Sequence, residues 1–189
     1  MFDIPCILFA GGKSSRMGTD KALLPFGSYE TLAQYQYERL QQLFNEVYIS
    51  AKSADKFNFT CSVIEDPQES EFAPTAGFVA AFEALHVKRI FALGVDTPFV
   101  DEAVIQALLD ADNDTLDAVI AKTKSGTHPL CGIYHSSLAS DFATMFATQD
   151  HRLGKLLSQS ATTYVTFENE HLFTNLNHPD EYQKALIHA

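Results

Sequence analysis

The stretch Ile4-Pro-Cys-Ile-Leu-Phe9, followed by Ala10-Gly-Gly-Lys-Ser-Ser-Arg-Met-Gly-Thr-Asp-Lys21, decides the fold of this chain. A short apolar run that ends at glycines is typical of a buried strand in a parallel sheet. The two adjacent glycines allow the backbone to turn tightly and to approach a ligand closely. Backbone N–H groups and cations at the end of a strand suit a polyphosphate. The stretch therefore predicts an anion-binding loop, whose cations are Lys13, Arg16 and Lys21.

Two common glycine-loop patterns are absent from this stretch. A Walker A loop needs a glycine five positions before Gly12, and that position is Ile7. A dinucleotide-binding G-x-G-x-x-G motif is excluded because Gly11 and Gly12 are adjacent. An ordinary strand-to-helix turn with solvated basic residues remains the plain alternative to a phosphate-binding loop.

Length and composition indicate one globular domain spanning residues 1–189, with 46% hydrophobic residues. No apolar run approaches the roughly 18 residues that a membrane span needs. The first residues lack a basic region before the apolar stretch, and Pro5 interrupts it, so we expect no signal peptide and a cytoplasmic protein. The cysteines Cys6, Cys61 and Cys131 are widely spaced, which favours core positions over a zinc site or a disulfide framework.

The formal net charge of −11 argues against nonspecific binding to nucleic acid, which needs a basic face. An acidic protein that binds a nucleoside triphosphate must concentrate its few cations at the site and recruit a divalent metal. The three cations of the opening loop fit that requirement.

Apolar spacing along the chain predicts further strands and helices. We expect strands at 46–50, 61–64, 89–94, 117–121, 127–134 and 163–167, with an antiparallel direction open for 127–134. We expect helices at 31–44, 138–147 and 180–187. Three more are expected to begin at 78, after a loop that ends at 73–77, at 151, and directly after a cap at Asp101.

Two aspartates lie where predicted strands end. Ligands of open parallel sheets bind beyond the carboxyl ends of the strands, so Asp66 is placed to meet one. A solvated turn is the alternative for Asp66. Asp96 follows a buried strand and precedes Pro98, which makes it a candidate to hold Mg²⁺ against phosphates.

The segment Phe9-Ala-Gly-Gly-x-Ser-x-Arg-Met-Gly-x-Asp-Lys21, with Leu-Leu-x-x-Gly27 after it, resembles the signature loop of nucleotidyltransferases that activate phosphorylated small molecules. It is most similar to that of the molybdenum cofactor guanylyltransferases. Further similar segments follow in the family's order at 73–77, 95–99, 127–134 and 173–179. The resemblance runs from Ile4 to Leu186.

The resemblance implies a three-layer α/β fold of the nucleotide-diphospho-sugar transferase type, with a Rossmann-like, mostly parallel sheet and helices on both faces. It implies an Mg²⁺-dependent guanylyltransferase that joins GMP from GTP to the phosphate of molybdopterin and releases pyrophosphate. Transient contact with molybdenum-insertion proteins or apo-molybdoenzymes is a further expectation, whereas nucleic acid and membranes are not expected partners.

The resemblance also implies roles for single residues. The expected catalytic residues are Arg16, Lys21 and Asp96, and Asp96 is also the expected metal ligand. The expected nucleotide-binding residues are Phe9, Ala10, Gly11, Gly12, Lys21, Lys52, Asp66, Ala76, Gly77 and Asp96. The expected acceptor-binding residues are His128, Arg152, Lys155, Asn175 and Asn177, for which a strand end, a solvated helix end and a turn are the plain alternatives.

Departures from the family pattern concern the base more than the fold. The family's Gly-Pro-Leu-Ala-Gly segment has Ala73 and Thr75 at two of its positions here. An asparagine that the family often places after the second strand is missing, and Lys52 stands nearby. A molybdopterin cytidylyltransferase and a sugar-phosphate nucleotidyltransferase are therefore alternatives within the class. A non-catalytic adaptor in molybdenum cofactor assembly is an alternative of another class.

Overall fold

The opening strand lies in the middle of one sheet that runs through the part of the chain described by the computed structural model, namely residues 1–11, 20–67 and 73–186. All four residues of this strand are buried. The strands are β1 (Cys6–Phe9), β2 (Val47–Ala51), β3 (Val63–Glu65), β4 (Arg89–Gly94), β5 (Ala118–Thr123), β6 (Gly126–His135) and β7 (Thr162–Thr166). Across the sheet their order is β3-β2-β1-β4-β6-β5-β7.

Parallel pairing dominates this sheet. β1 pairs in parallel with β2 and β4, β2 with β3, and β5 with β7. β6 runs antiparallel to both of its neighbours, β4 and β5. The prediction of a mostly parallel sheet is confirmed, and the open direction of 127–134 is settled as antiparallel. The carboxyl ends of β1, β2, β3 and β4 consequently meet at one edge.

Helices cover both faces of the sheet, as predicted. They are α1 (Leu32–Gln41), α2 (Pro74–Leu85), α3 (Glu102–Asp110), α4 (Ala139–Ala147), α5 (Leu153–Gln159) and α6 (Pro179–Leu186). Successive side chains of a strand point to opposite faces. Cys6 and Leu8 of β1 therefore join a core with α1, α3 and α6, while Ile7 and Phe9 join a second core with α2, α4 and α5. The sheet between these cores makes three layers.

The ends of two helices show how local sequence sets their limits. Asp101 caps α3 as predicted, because its Oδ1 accepts a hydrogen bond of 2.9 Å from the backbone N–H of Val104. The expectation of a loop through Gly77 is wrong, since α2 already begins at Pro74. Proline suits the first position of a helix because its φ is fixed and its missing N–H would have no partner there. The predicted end of the last helix, Ile187, lies outside the described residues.

A bulge interrupts the pairing of β5 with β6. Ile120 pairs with Gly132, but its neighbour Ala121 pairs with His128, so three residues of β6 have no partner in β5. Pro129 is among them, and proline fits a bulge because it has no N–H to give to the ladder. This part of β6 lies beside the end of β4, where Cys131 pairs with Leu93.

The helices in the described ranges are short. The longest of them, α2, has 12 residues, and none combines the length and the apolar character that crossing a membrane requires.

Candidate active site

Asp96 stands just beyond the carboxyl end of β4. The turn that carries it is fixed from within, because the Thr97 hydroxyl and the Thr97 backbone N–H both donate to the carbonyl of Gly94, at 2.8 and 3.2 Å. The backbone carbonyl of Asp96 accepts a hydrogen bond of 2.9 Å from the N–H of Leu176. Its carboxylate is therefore held at the edge of the sheet by backbone contacts on two sides.

Lys21 meets Asp96 across this edge. Lys21 begins a single turn of 3₁₀ helix, Lys21–Leu23, whose first residues are capped by the Asp20 carboxylate. Its Nζ lies 2.8 Å from Oδ2 of Asp96 and 2.8 Å from Oδ1 of Asn177. Lys21, Asp96 and Asn177 thus form one hydrogen-bonded cluster, although Asp96 and Asn177 lie 75 and 156 positions from Lys21 in the sequence.

Asp66 lies beyond the end of β3 and is only 8% exposed. Its Oδ1 accepts a hydrogen bond of 2.8 Å from the hydroxyl of Ser50. Burial raises the pKa of Asp66, while the Ser50 hydrogen bond and the positive charges of Lys52 and Lys56 act in the opposite direction. Asp66 is not the solvated turn residue that was the alternative, and Lys52 is close enough to it to act electrostatically.

The predicted lining of the nucleotide lies beside Asp66. A Cβ atom on Gly11 would be 3.4 Å from Oδ2 of Asp66, so the backbone after β1 passes close to this carboxylate. Phe9 and Ala10 are buried, and the N–H of Ala10 donates to the carbonyl of Ser50 at 3.0 Å. These backbone contacts bring the end of β1 to the same place as the ends of β2 and β3.

Lys56 joins this region although the sequence did not single it out. Its Nζ donates to the carbonyl of Ala10 at 2.7 Å and pairs with Oδ2 of Asp20 at 2.7 Å. A signal was available, because Lys52 and Lys56 both follow β2, whose carboxyl end faces the site.

Ala76 and Gly77 lie in the first turns of α2 and are buried. A Cβ atom on Gly77 would lie 2.2 Å from Oγ of Ser50 and 2.8 Å from Cε1 of Phe9. Glycine at this position therefore allows α2 to approach β1 and β2 closely. Contact of these two residues with a nucleotide stays a prediction.

A cavity of about 340 Å³ opens on the other side of Asp96. It is bounded by the end of β4, the bulge of β6, the start of α2 and the start of α5. The residues that line it are Pro74, Gly94, Asp96, Thr97, Thr127, His128, Pro129, Leu130, Cys131, His151, Leu153, Gly154 and Asn175. Two predicted acceptor-binding residues, His128 and Asn175, thus share one cavity with Asp96.

His128 is held in the cavity wall by two neighbours. Its Nε2 lies 3.1 Å from the Thr123 hydroxyl, and its ring stacks on Phe173 with 4.6 Å between the centroids. Burial lowers the pKa of His128, so the neutral ring is favoured near neutral pH. A neutral histidine offers one donor and one acceptor, which suits a hydrogen bond to a ligand better than charge pairing.

Arg152 and Lys155 lie close together because both form an ion pair with Asp150. Arg152 Nε lies 2.7 Å from Oδ1 of Asp150, and Lys155 Nζ lies 3.3 Å from its Oδ2. The hydrogen bonds from Arg152 hold the pKa of Asp150 well below its usual range. Both basic side chains are exposed, and the residues that line the cavity between them are Leu153 and Gly154. A role in acceptor binding stays a prediction for both.

The sequence did not identify His151 as a cavity residue. Its Nδ1 lies 2.6 Å from the Thr75 hydroxyl, which connects the start of α5 with the start of α2. Its Nε2 is buried and has no partner among the described residues. Two other predicted site residues, Gly12 and Arg16, lie outside the described residues.

The oxygen donors at the edge fit a hard divalent cation. Asp96 supplies carboxylate oxygens and Asn177 an amide oxygen, the kind of ligand that such a cation prefers. The two residues are close together, because both accept a hydrogen bond from the Lys21 ammonium. A Cβ atom at Gly94 would lie 2.8 Å from Oδ1 of Asp96, so glycine leaves that oxygen uncovered. Within the described ranges no three His, Cys, Asp or Glu side chains gather closely enough to hold a metal by themselves. The donor set therefore suits a hard divalent cation that is bound by one or two carboxylates together with other oxygen ligands.

The sheet order and the site can be compared with known proteins. A family model described as the MobA-like NTP transferase domain matches residues 6–163. A Campylobacter jejuni protein named molybdenum cofactor guanylyltransferase is 38% identical over 183 residues, which cover 96% of this chain and 95% of that protein.

Two solved structures share the fold. Molybdopterin-guanine dinucleotide biosynthesis protein A from Archaeoglobus fulgidus is similar with a TM-score of 0.83 and 20% identity, over 97% of each chain. A Mycobacterium tuberculosis protein crystallised in complex with manganese is similar with a TM-score of 0.73 and 15% identity, over 100% of each chain. The predicted fold type is thereby confirmed. Since the family model spans most of the chain and the Campylobacter protein matches it almost from end to end, the chain belongs to the MobA-like NTP transferase family and is a nucleotidyltransferase.

Proposed function

We propose that this nucleotidyltransferase moves GMP from GTP to the phosphate of molybdenum-molybdopterin, forms the guanine dinucleotide cofactor and releases pyrophosphate. The name of the Campylobacter jejuni relative supports the guanylyl group and the cofactor. The observation that carries the proposal is the position of Asp96, which pairs with Lys21 on one side and lines the cavity on the other.

Two substrates that react with each other must meet at one point, and Asp96 lies between two regions that suit them. On the side of β1, β2 and β3 stand Lys21, Asp66 and the close-packed backbone around Ala10. On the side of β6 lies the cavity with His128 and Asn175. We assign the first region to the nucleotide and the second to the pterin phosphate.

The reaction is a displacement at phosphorus. An oxygen of the acceptor phosphate forms a bond to the α-phosphorus of GTP, and the bond from that phosphorus to the β-phosphate oxygen breaks. The electron pair of the broken bond leaves with pyrophosphate. The acceptor phosphate is already ionised at neutral pH, so no general base is needed. The protein must position two anions and neutralise their charge.

Lys21 supplies the neutralising charge in this scheme. Its ammonium contacts Asp96 and Asn177, and the Lys21 side chain is 17% exposed. We propose that it turns to the phosphates of the bound nucleotide, where it stabilises the charge that develops on pyrophosphate. Arg16 is proposed to assist it, as the sequence predicted.

Asp96 is the residue that would hold the divalent metal, with Asn177 as a neighbouring oxygen donor. Such an ion supplies Lewis-acid stabilisation of the phosphate charge when it is bound. The Mycobacterium tuberculosis neighbour crystallised with manganese supports a divalent ion in this fold. We propose Mg²⁺ for this protein because the donors are oxygen atoms and the substrate brings phosphates.

The proposal also includes the substrates, the compartment and the partners that the sequence predicted. GTP and molybdopterin phosphate are the proposed substrates, and the cytoplasm is the proposed compartment. Contact with molybdenum-insertion proteins or apo-molybdoenzymes stays a prediction, as does a single nucleotidyltransferase domain over residues 1–189.

The test is release of pyrophosphate by the purified protein with molybdopterin, Mg²⁺ and one of GTP, CTP, UTP or ATP. We expect turnover with GTP that exceeds turnover with each other nucleotide by at least about tenfold, the scale on which binding distinguishes related ligands. Preference for CTP would assign a cytidylyltransferase instead. Turnover with sugar phosphates but not with molybdopterin would assign a sugar-phosphate nucleotidyltransferase.

A matched variant tests the adaptor alternative. Asp96→Asn keeps the size of the side chain and removes the charge that a metal requires. We expect it to abolish metal-dependent pyrophosphate release. If Asp96→Asn left turnover unchanged, the proposed role of Asp96 would be wrong. If the wild-type protein released no pyrophosphate with any of the four nucleotides, and Asp96→Asn left the cellular activity of molybdenum enzymes unchanged, the adaptor alternative would be favoured.

A further inference from the structure

We propose that Lys56 is a positioning residue of the nucleotide site, which ties the backbone at the end of β1 to the turn that carries Lys21. This inference rests on the proposed function, because it concerns the same nucleotide. It adds a residue that neither the opening motif nor the family signature contains.

Two contacts of one ammonium group carry the inference. Lys56 Nζ donates to the carbonyl of Ala10 at 2.7 Å and pairs with Oδ2 of Asp20 at 2.7 Å. Ala10 and Asp20 lie ten positions apart in the chain, on either side of the segment 12–19. The carbonyl oxygen and the carboxylate oxygen are therefore no more than about 5.4 Å from each other, the sum of the two contacts.

Asp20 passes this constraint on to Lys21. While Oδ2 of Asp20 pairs with Lys56, its Oδ1 accepts a hydrogen bond of 3.0 Å from the N–H of Ala22. That bond caps the 3₁₀ turn in which Lys21 is the first residue. Lys21 in turn contacts Asp96 at 2.8 Å. Lys56 is thus linked to the proposed metal ligand through Asp20 and Lys21.

The surroundings of Lys56 favour such a role. Its side chain is 18% exposed, so its two contacts are partly shielded from water and are worth more than those of a surface lysine. Lys56 ends a short 3₁₀ turn that is capped by the Ser53 side chain, which fixes its backbone. Its positive charge also acts on Asp66, where it opposes the effect of burial. One ammonium group therefore influences the Ala10 backbone, the Lys21 turn and the Asp66 carboxylate.

Lys56 acts through Asp20 in this proposal and does not itself bind the nucleotide. The two roles make different predictions. If Lys56 acts through Asp20, removing both residues costs no more than removing Lys56. If each residue contacts the nucleotide independently, their effects multiply.

The experiment measures the Kd for GTP with Mg²⁺ by calorimetry, without acceptor, in a double-mutant cycle. Its variants are Lys56→Met, Asp20→Asn and the double variant. Methionine keeps the length of the side chain and removes the charge. Asparagine keeps an oxygen that can cap Ala22 and loses the charge that pairs with Lys56. Lys124→Met, at an exposed lysine, is the control for the loss of one positive charge.

We expect Lys56→Met to raise the Kd by about tenfold, the lower end of the range seen when residues that orient metal-binding side chains are removed. The double variant should match Lys56→Met within about twofold, and Lys124→Met should match the wild-type protein. The Kd is measured on folded protein below the Tm of each variant, because a purely structural lysine would lower Tm and leave the Kd of the folded protein unchanged. Lys56→Gln supplies the same test if the methionine variant does not fold.

Two results would overturn the inference. The first is a Kd for Lys56→Met within twofold of the wild-type value. The second is a double variant whose Kd rises by the product of the two single effects. Binding is measured separately from transfer, so a wild-type protein that binds GTP but makes no dinucleotide would contradict the proposed function and leave this test intact. If another nucleotide binds more tightly than GTP, the same cycle is run with that nucleotide.

Discussion

Lys21 is the residue on which the charges of the site converge. Its ammonium lies 2.8 Å from the Asp96 carboxylate and also contacts the amide oxygen of Asn177. An ion pair of this kind keeps an uncompensated charge from standing at the edge of the sheet. It also means that a phosphate must compete with Asp96 for Lys21, and that a metal must compete with Lys21 for Asp96. We therefore expect a metal–nucleotide complex to bind more readily than free GTP or the free ion, because it offers a partner to both residues at once.

This exchange predicts the effect of removing the ammonium. Lys21→Ala should lower kcat/KM for pyrophosphate release by about 10²-fold or more, because it removes charge stabilisation at the transferring phosphates. Lys124→Ala, at an exposed lysine, should leave kcat/KM unchanged. Steady-state kinetics with GTP as the varied substrate decide the matter. A loss within about threefold would show that Lys21 only pairs with Asp96.

Asp66 is predicted to cost stability at neutral pH. Burial raises its pKa above 3.8, its ordinary value, so between 3.8 and the raised pKa the folded protein holds a proton that the unfolded chain has released. The contribution of Asp66 to stability therefore falls as pH rises through that window, and the cost is fully present above it. We expect Asp66→Asn to have a Tm at pH 7.5 that equals or exceeds the wild-type value, and a difference that vanishes toward pH 4.

The same substitution should weaken GTP binding by about tenfold, or 1.4 kcal/mol, because an amide lacks the charge and the second acceptor oxygen of the carboxylate. Asp55→Asn, at an exposed position, controls for the loss of one negative charge. Thermal unfolding between pH 4 and pH 8 provides the comparison. A lower Tm for Asp66→Asn at pH 7.5 would mean that Ser50, Lys52 and Lys56 stabilise the ionised form by more than burial opposes it.

The packing of α2 against the sheet depends on the absence of a Cβ atom at Gly77. A methyl group on Gly77 would collide with Ser50 Oγ at 2.2 Å and with Phe9 Cε1 at 2.8 Å. Gly77→Ala should therefore lower the free energy of unfolding by about 1–3 kcal/mol, the usual cost of overpacking. It should also weaken nucleotide binding, because Ser50 would be pushed away from Asp66.

A second glycine in a helix serves as the control for Gly77. A Cβ atom on Gly154 in α5 would meet nothing within 4 Å. Gly154→Ala should be neutral or should stabilise the protein by up to about 1 kcal/mol, because alanine is the better helix former. Urea unfolding of both variants tests the pair. Equal effects of the two substitutions would contradict the close approach of α2 to the sheet.

The sequence predicted the elements better than their limits. Continuous apolar runs placed β1 and β4 close to where they lie, because strands that are covered on both faces are apolar throughout. Alternation placed β6, because successive side chains of a strand point to opposite faces. The start of α2 at Pro74 was missed, since the family's segment there suggested a loop while proline suits a helix start equally well. The bulge at Pro129 was missed as well, because the register of β6 against β5 depends on strands that are distant in sequence.

The sequence likewise predicted some residues of the candidate site and missed others. Asp96, Lys21 and Asn177 were named from the sequence, and the structure brings them into contact. Lys56 was missed because its partners, Ala10 and Asp20, are 46 and 36 positions away, and no local pattern joins them. Contacts of this kind are set by the order of strands across the sheet, which places the residues after β2 beside those after β1.

At the scale of the whole molecule, a second buried charge network lies at the end of the sheet opposite to the site. The Asp112 side chain is fully buried, accepts a hydrogen bond from Arg89 and contacts His135 Nε2 at 2.8 Å. Arg89 begins β4 and Gly94 ends it. At about 3.3 Å per residue, roughly 17 Å of strand separates the two ends.

This separation predicts that stability and catalysis can be changed independently. Asp112→Ala should lower the free energy of unfolding by about 1–3 kcal/mol, because it leaves buried polar groups without partners. The KM for GTP should stay within about twofold of the wild-type value. Unfolding and steady-state kinetics on one preparation test both statements. A large rise in KM without loss of stability would show that β4 transmits changes from one end to the other.

The most direct test of the central claim is a crystal structure of the protein with GTP and Mg²⁺. We predict that the triphosphate lies beside Lys21, that the metal is bound by Asp96, and that the guanine lies against the first turn of α2. Lys21 should then have exchanged Asp96 for a phosphate oxygen. A nucleotide bound elsewhere, with the Lys21–Asp96 pair of 2.8 Å intact, would contradict the assignment of this edge as the site of nucleotidyl transfer.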